Sequence, residues 1–405
     1  MAAVTNLQHD AGRARRTLGV CCAAHGLHDG FTDAIYVLLP IWAQAFGLSL
    51  TQVGLLKAVT SGALAAFQVP AGFLSERFGA KAVLALGTMV AGGGYLLAGA
   101  AGGFAGLLLA LAVVGVGAGV QHPLSSALVA GAYRGGGRRA ALGIYNFTGD
   151  LGKMVVPPAV ALGAAYIGWR ESSVAYGIVG ILGGIAIWLA LSRLAARAEV
   201  ATPPPPPAQA AGWGIRDRRG FWTLSAIGFL DTATRYAFLP FLPFLLIEKG
   251  AEVESVGFAL GLVFAGGAAG KFACGLLAER IGIIRSVVLT EVVTGLGILT
   301  LPFLSLGPAL AVLPVIGLAL NGTSSVLYGT VSDFVDEDRQ ARAFSLFYTI
   351  GIGSGAVSPV IFGLVGDAFG IQTALTIVAA MALSILLICP LLAPRLRAAE
   401  GAKAA

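Results

Sequence analysis

Twelve mostly apolar stretches follow one another along this 405-residue chain, at 17–46, 51–74, 82–101, 104–130, 140–163, 170–193, 220–246, 254–278, 284–304, 308–331, 342–366 and 370–393. Each is long enough to cross a hydrocarbon layer as a helix, which takes about 20 residues for about 30 Å. Short polar segments separate them, so the pattern predicts a polytopic, all-α membrane protein. The first and seventh stretches are long and contain Pro40, Pro240 and Pro243. Proline removes a helical N–H and clashes with the preceding turn, which predicts a kink or an early end in both.

Composition agrees. Hydrophobic residues make up 57% of the chain and charged residues 11%, against about 45–50% and roughly 25% in soluble domains. With the N-terminus on the cytoplasmic side, the N-tail, the even-numbered loops and the C-tail carry 20 of the 26 Lys and Arg, and the opposite loops carry only Arg170 and Lys249. That is a positive-inside bias, with both termini cytoplasmic. It also accounts for the pI near 9.3 without a nucleic-acid partner. The basic N-tail and the apolar run after it resemble a signal peptide but lead into no soluble domain, so they read as the first span. Cys21, Cys22, Cys274 and Cys389 lie in or near apolar spans with no ligand spacing and read as core thiols. No metal or other cofactor is expected.

The chain repeats itself at a separation of 202–203 residues. Gly72-Phe-Leu-Ser-Glu-Arg-Phe-Gly79 matches Gly275-Leu-Leu-Ala-Glu-Arg-Ile-Gly282, Val53-Gly54 matches Val256-Gly257, Asp29 matches Asp231, and Gly149 and Pro157 match Gly351 and Pro359. A constant offset over three pairs of helices and the loop after one of them indicates a duplicated block of six. The expected organisation is an N-terminal six-helix bundle over 1–194, a cytoplasmic linker over 195–219 and a C-terminal six-helix bundle over 220–405. Pro203–Pro207 favour polyproline II in that linker.

The loop Gly72-Phe-Leu-Ser-Glu-Arg-Phe-Gly-Ala-Lys81 resembles the signature between the second and third helices of the major facilitator superfamily, with Glu76 where Asp is usual and Ala80 replacing one basic residue. His25-Gly-Leu-His-Asp29, Gly119-Val-Gln-His-Pro123 and Gly149-Asp-Leu-Gly152 with Pro157 resemble motifs of its fosmidomycin-resistance type of exporter. The antiporter Gly-Pro-x-x-Gly-Gly motif is absent as usually written. The resemblance implies two pseudo-symmetric bundles and a central cavity lined by the first, fourth, seventh and tenth helices, with parts of the fifth, eighth and eleventh. It makes Gly72, Glu76, Arg77, Gly79 and Lys81, with Glu279 and Arg280 in the second half, the expected conformational gate loops.

Ionisable residues inside spans are costly, about 2.5–3.5 kcal/mol each on insertion scales, so they need partners or water. His25, Asp29 and Asp33 form one stripe on the first helix, with His28 about 100° away. Asn146, Asp150 and Lys153 form another on the fifth, Asp231 and Arg235 a third on the seventh, and Gln121 and His122 sit on the fourth. Asp29 or Asp33, tuned by His25, is the expected proton carrier. Gln121, His122, Asn146, Asp150, Lys153, Asp231 and Arg235 are the expected cavity residues. The alternative is structural: Asp150–Lys153 and Asp231–Arg235 could be self-neutralising pairs, and His122 could bond a carbonyl freed by Pro123. Lys57 and Lys271, near span ends, are expected to snorkel. Glu291, on the ninth helix, has no role in this scheme.

These readings predict a proton-coupled secondary transporter in a bacterial inner membrane. It would be monomeric and an exporter of a small polar or amphipathic compound; the alternative is a symporter importing a small organic anion. There is no Gly-x-x-x-x-Gly-Lys-Ser/Thr loop for an ATP-driven pump. An intramembrane enzyme is disfavoured, because Asp29 and Asp33 lack Asp-rich flanks.

Overall fold

The computed structural model describes residues 2–133, 137–195, 213–336 and 340–404. Arg134, Arg197 and the Pro203–Pro207 run lie outside the described residues. The chain is helical: α1 (Ala2–Asp33), α2 (Ile35–Phe46), α3 (Leu50–Phe78), α4 (Ala80–Ala100), α5 (Phe104–Ala118), α6 (Gln121–Ala132), α7 (Arg138–Ile167), α8 (Trp169–Ala195), α9 (Arg218–Glu248), α10 (Val253–Ile281), α11 (Ile283–Thr300), α12 (Leu306–Thr330), α13 (Gln340–Phe369) and α14 (Ile371–Ala404). Described residues hold no sheet, only an isolated bridge between Ile215 and Val335.

The twelve predicted spans map onto these helices, with two of them broken. The first divides into α1 and α2 at Ala34, beside Asp33. The fourth divides into α5 and α6 at Gly119–Val120, where Pro123 leaves the Gly119 carbonyl without an α-helical donor. The seventh does not end early: α9 runs on through Pro240 and Pro243 to Glu248, held by the burial of Phe238 to Pro243. Ten spans are apolar enough to cross a membrane on length and composition alone. The other two, α1–α2 and α7, are those with the charged stripes of the first and fifth spans. Large apolar side chains such as Phe73, Leu109, Val155, Phe303 and Leu387 stand exposed, as lipid-facing surfaces require.

Two compact units form. One takes in residues 1–38 and 59–205, the other 39–58 and 206–405. Glycine lets helices of one unit approach to backbone contact. A Cβ on Gly152 would fall 2.0 Å from the Gly26 carbonyl oxygen, which binds α7 closely to α1. The duplication also appears in the backbone. Glycines with positive φ recur at the sequence offset: Gly47 and Gly250, Gly79 and Gly282, Gly168 and Gly370. Each of these turns uses a left-handed conformation that a Cβ would strain.

The end of the linker is docked. Arg216 N–H donates to the Phe334 carbonyl at 2.9 Å and Asp336 N–H to that of Gly214 at 2.8 Å, and Asp217 caps α9 by accepting from Gly220 N–H at 3.0 Å. The two cations that break the charge bias are also tied down. Arg170 donates to the carbonyls of Gly99 and Ala101 at 2.9 and 2.8 Å, and Lys249 to those of Pro302 and Leu304 at 2.8 and 2.6 Å. Both therefore satisfy carbonyls left over where helices end.

Within the second unit, the N-terminus of α3 has a full set of acceptors. Ser49 and Gln52 form a reciprocal capping box, Ser49 N–H to Gln52 Oε1 at 3.0 Å and Gln52 N–H to Ser49 Oγ at 3.3 Å. Asp367, near the end of α13, accepts from Leu50 N–H at 2.7 Å, Thr51 N–H at 2.9 Å and the Thr51 hydroxyl at 2.5 Å. Replacing Asp367 by Ala removes these acceptors and is expected to cost about 1 kcal/mol, the usual scale of a lost cap. Thermal unfolding of the purified protein in detergent checks this, with Asp367→Asn expected to lose less because its amide oxygen still accepts.

Candidate functional site

In the first unit the predicted stripes meet. The Gly26–Gly152 contact sets α1 against α7, and the break before α6 brings His122 up beside them. Asp29 is the hub. Its Oδ2 lies 3.2 Å from Lys153 Nζ and 3.4 Å from His25 Nε2, and its Oδ1 lies 3.7 Å from His122 Nε2. Lys153 Nζ also reaches Asp33 Oδ2 at 3.8 Å. Asp29 is 5% and His25 3% exposed, whereas the Lys153 and His122 side chains keep 28% and 36% of their surface. The cluster is thus a buried carboxylate–imidazole pair with two cationic or cationisable groups at its open edge.

One hydrogen bond fixes where the proton on His25 sits. His25 Nδ1 lies 2.8 Å from the Tyr145 carbonyl oxygen, which can only accept, so Nδ1 carries a hydrogen. The Tyr145 ring stacks on the imidazole, 4.2 Å between centroids. Nε2 then faces the Asp29 carboxyl. A neutral imidazole and an ionised carboxylate would set lone pair against lone pair, so a favourable contact needs one proton between them, on nitrogen or on oxygen. Gly149 makes this approach possible, because a Cβ there would lie 2.6 Å from His25 Nε2 and 2.7 Å from Asp29 Oδ2.

Other predicted residues take supporting places. Gln121 is buried and accepts from the Ser125 hydroxyl at 2.5 Å. His28 is buried on another face of α1, its Nε2 2.7 Å from Thr88 Oγ1. That hydroxyl donates to the Leu84 carbonyl, so His28 Nε2–H is the donor in a structural bond between α1 and α4. Tyr95 donates to the Phe31 carbonyl and Tyr176 to that of Leu27 at 3.4 Å, fixing α1 around Asp33. Asp150 is buried and Asn146 is exposed. Glu76, Arg77, Glu279 and Arg280 lie exposed at the ends of α3 and α10, each helix followed by a positive-φ glycine, Gly79 or Gly282. Gly72 accepts from the Ser75 hydroxyl at 2.7 Å, and Lys81 Nζ lies 4.6 Å from the centre of the Trp188 ring.

In the second unit, Asp231 is buried with Arg235 one turn on, and Lys57 departs from expectation. It does not snorkel: it is 3% exposed and sits 5.8 Å from the centre of the Tyr236 ring. Sequence position near a span end could not show that an aromatic face 179 positions away would cover the ammonium. Tyr145, Thr88, Tyr95 and Tyr176 were likewise missed. The first acts through its main-chain oxygen and the others look like ordinary apolar or small span residues.

His25, Asp29 and His122 offer ligand atoms within 4.8 Å of one another. The Lys153 ammonium already stands 3.2 Å from Asp29, where it would repel a divalent ion, so the set does not fit a metal centre.

The described residues form an all-helical fold with spans apolar enough to cross a membrane and with charges paired inside them. The sequence model of the Major Facilitator Superfamily matches residues 21–230 and 224–405, and the chain belongs to that family of transporters. It is 26% identical to a probable sulfoacetate transporter of Cupriavidus necator, over 85% of this chain and 86% of that protein. It is 24% identical to the fosmidomycin resistance protein of Escherichia coli, over 88% and 87%, and 25% identical to a hexuronate transporter of Bacillus subtilis, over 84% of each. In fold it is similar to a bacterial homolog of the human lysosomal transporter Spinster, with a TM-score of 0.76 at 19% identity over 95% of this chain and 96% of the other.

Gly149→Ala is expected to reach the membrane in normal amount yet to lose transport. Overpacking of this kind costs about 1–3 kcal/mol, and here it falls on the His25–Asp29 contact. Uptake should drop about tenfold or more in proteoliposomes carrying equal amounts of protein.

Proposed function

We propose that this transporter carries a small organic anion together with a proton. The observation behind the reading is the His25–Asp29 contact, 3.4 Å from Nε2 to Oδ2, with the Lys153 ammonium 3.2 Å from the same carboxylate oxygen. With Asp29 ionised, Lys153 is neutralised by it. When Asp29 takes up a proton, Lys153 loses the nearer of its two carboxylate partners, Asp33 staying 3.8 Å away, and the cluster becomes more positive by one charge at its open edge. An anionic substrate then binds more tightly, and by linkage the bound anion favours the proton. Ligands that help each other to bind travel together, which is symport. His122, whose side chain is 36% exposed, stands where it can add a second hydrogen bond to the substrate. The relatives' names agree in chemistry, since sulfoacetate and hexuronates are organic anions.

Export in exchange for protons is the second reading, supported by the likeness to the fosmidomycin resistance protein over 88% of the chain. It requires proton and substrate to compete for the cluster. We further infer a bacterial inner-membrane location, cytoplasmic termini, a monomer built of two six-helix bundles, and the exposed loops at Glu76–Arg77 and Glu279–Arg280 acting as cytoplasmic gates.

Uptake of labelled organic anions into proteoliposomes tests the coupling. Asp29→Asn should keep equilibrium exchange of substrate but lose accumulation driven by a proton gradient. Lys153→Gln should weaken substrate binding by about ten- to a hundredfold, the scale of one lost charge-assisted hydrogen bond of about 1.5–3 kcal/mol. In the wild-type protein, acidifying the outside should raise uptake; if it lowers uptake, the antiport reading replaces this one.

A further inference from the structure

One helix is shared between the two units. Residues 50–58 of α3 group with the second unit and residues 59–78 with the first. The division shows in what α3 touches. From Thr60 onward it packs on α5: a Cβ on Gly115 would run into the Thr60 carbonyl, and one on Gly119 would fall 2.7 Å from that of Leu64. Before that point α3 runs antiparallel along α13. A Cβ on Gly366 would fall 2.6 Å from Leu50 Cδ1, one on Gly363 would run into the Leu50 carbonyl, and one on Gly54 into that of Pro359. Further in, Lys57 Nζ stands 5.8 Å from the centre of the Tyr236 ring, and that ring lies 2.8 Å from where a Gly355 Cβ would be. At the outer end of the seam Asp367 accepts from the Leu50 and Thr51 N–H groups and from the Thr51 hydroxyl.

This seam can part without stranding a polar group. Small residues against main chain allow close packing but bring no hydrophobic drive, because lipid tails are as apolar as the surfaces they would cover. The directional hold at the outer end is the Asp367 carboxylate. Asp367 is exposed, so on separation it exchanges its hydrogen bonds for water instead of being left bare. The N–H groups it releases belong to a helix start, where water can take over as acceptor. The Ser49–Gln52 box stays within α3 and keeps its own two bonds.

We propose that the first two turns of α3 and the last turns of α13 are a latch undone once in every transport cycle, with Asp367 as its catch. A carrier that serves two faces in turn has to part its helices at each end. The latch sits at the opposite end of α3 from Glu76–Arg77, so it gates the other face from the gates inferred above. The proposal rests on the chain being a transporter, and not on the ion or substrate assigned to the His25–Asp29 cluster.

Two measurements test this, both after Cys21, Cys22, Cys274 and Cys389 are replaced by Ala. In the first, Thr51→Cys and Asp367→Cys put two thiols where the hydroxyl and carboxylate now meet, and a short bifunctional thiol reagent bridges them. In proteoliposomes the bridged protein should lose equilibrium exchange of a labelled organic anion at least tenfold, and a reductant should restore it. In the second, spin labels on Ala45→Cys and Phe369→Cys, both exposed, report the separation across the latch with Asp367 in place. The substrate-free protein should show a shorter and a longer separation, and Asp367→Ala should shift the population toward the longer one at least threefold, with Asp367→Asn between. Undiminished exchange in the bridged protein makes the contact a static cap and overturns the proposal. So does a single separation that Asp367→Ala leaves unchanged, which also decides the matter if the thiol pair cannot be bridged. Exchange needs no proton gradient and the spin-label measurement needs no substrate, so failure of the symport reading leaves both results interpretable.

Discussion

A carboxylate in the interior of a membrane protein persists only beside a counter-charge or with a proton on it, and the inner architecture follows from that constraint. Asp29 has its counter-charge in Lys153. Lys153 arrives from α7 because Gly26 and Gly152 bring the two backbones into contact. His25 comes from one turn below on α1, oriented by a main-chain oxygen of the opposing helix. His122 comes from the helix that restarts after the break at Gly119–Val120. Where a soluble protein would let such groups find water, here the helices had to be shaped around one another to supply the partners.

The same constraint accounts for the second unit and for the edges of the fold. Arg170 and Lys249 spend their hydrogens on carbonyls that helix ends leave open. Asp367 and the Ser49–Gln52 box do the converse for orphan N–H groups. In each place a polar group that could not be abandoned to the bilayer is matched to its complement within the same compact unit.

Much of this was legible in the sequence because membrane helices announce themselves by length and because a stripe at i, i+4 and i+8 survives folding intact. The spans, the duplication and the residues of the Asp29 cluster were read that way, and the repeat reappears in the paired positive-φ glycines. What stayed hidden lies across helices. Nothing in a linear pattern tells that Tyr236 will cover Lys57. Proline does not end α9, because burial carries the helix on past Pro240 and Pro243. The two spans that fall short on length and composition, α1–α2 and α7, carry Asp29, Asp33, His25 and Lys153.

The bond from His25 to the Tyr145 carbonyl has a consequence for how such a site can drift over generations. A side-chain acceptor could be exchanged or deleted by a single codon change, and the imidazole would be released to the other tautomer. A peptide oxygen is present whatever residue is encoded at that position. Substitution at 145 can alter the ring that lies against the imidazole, but the placement of its hydrogen is inherited with the helix itself.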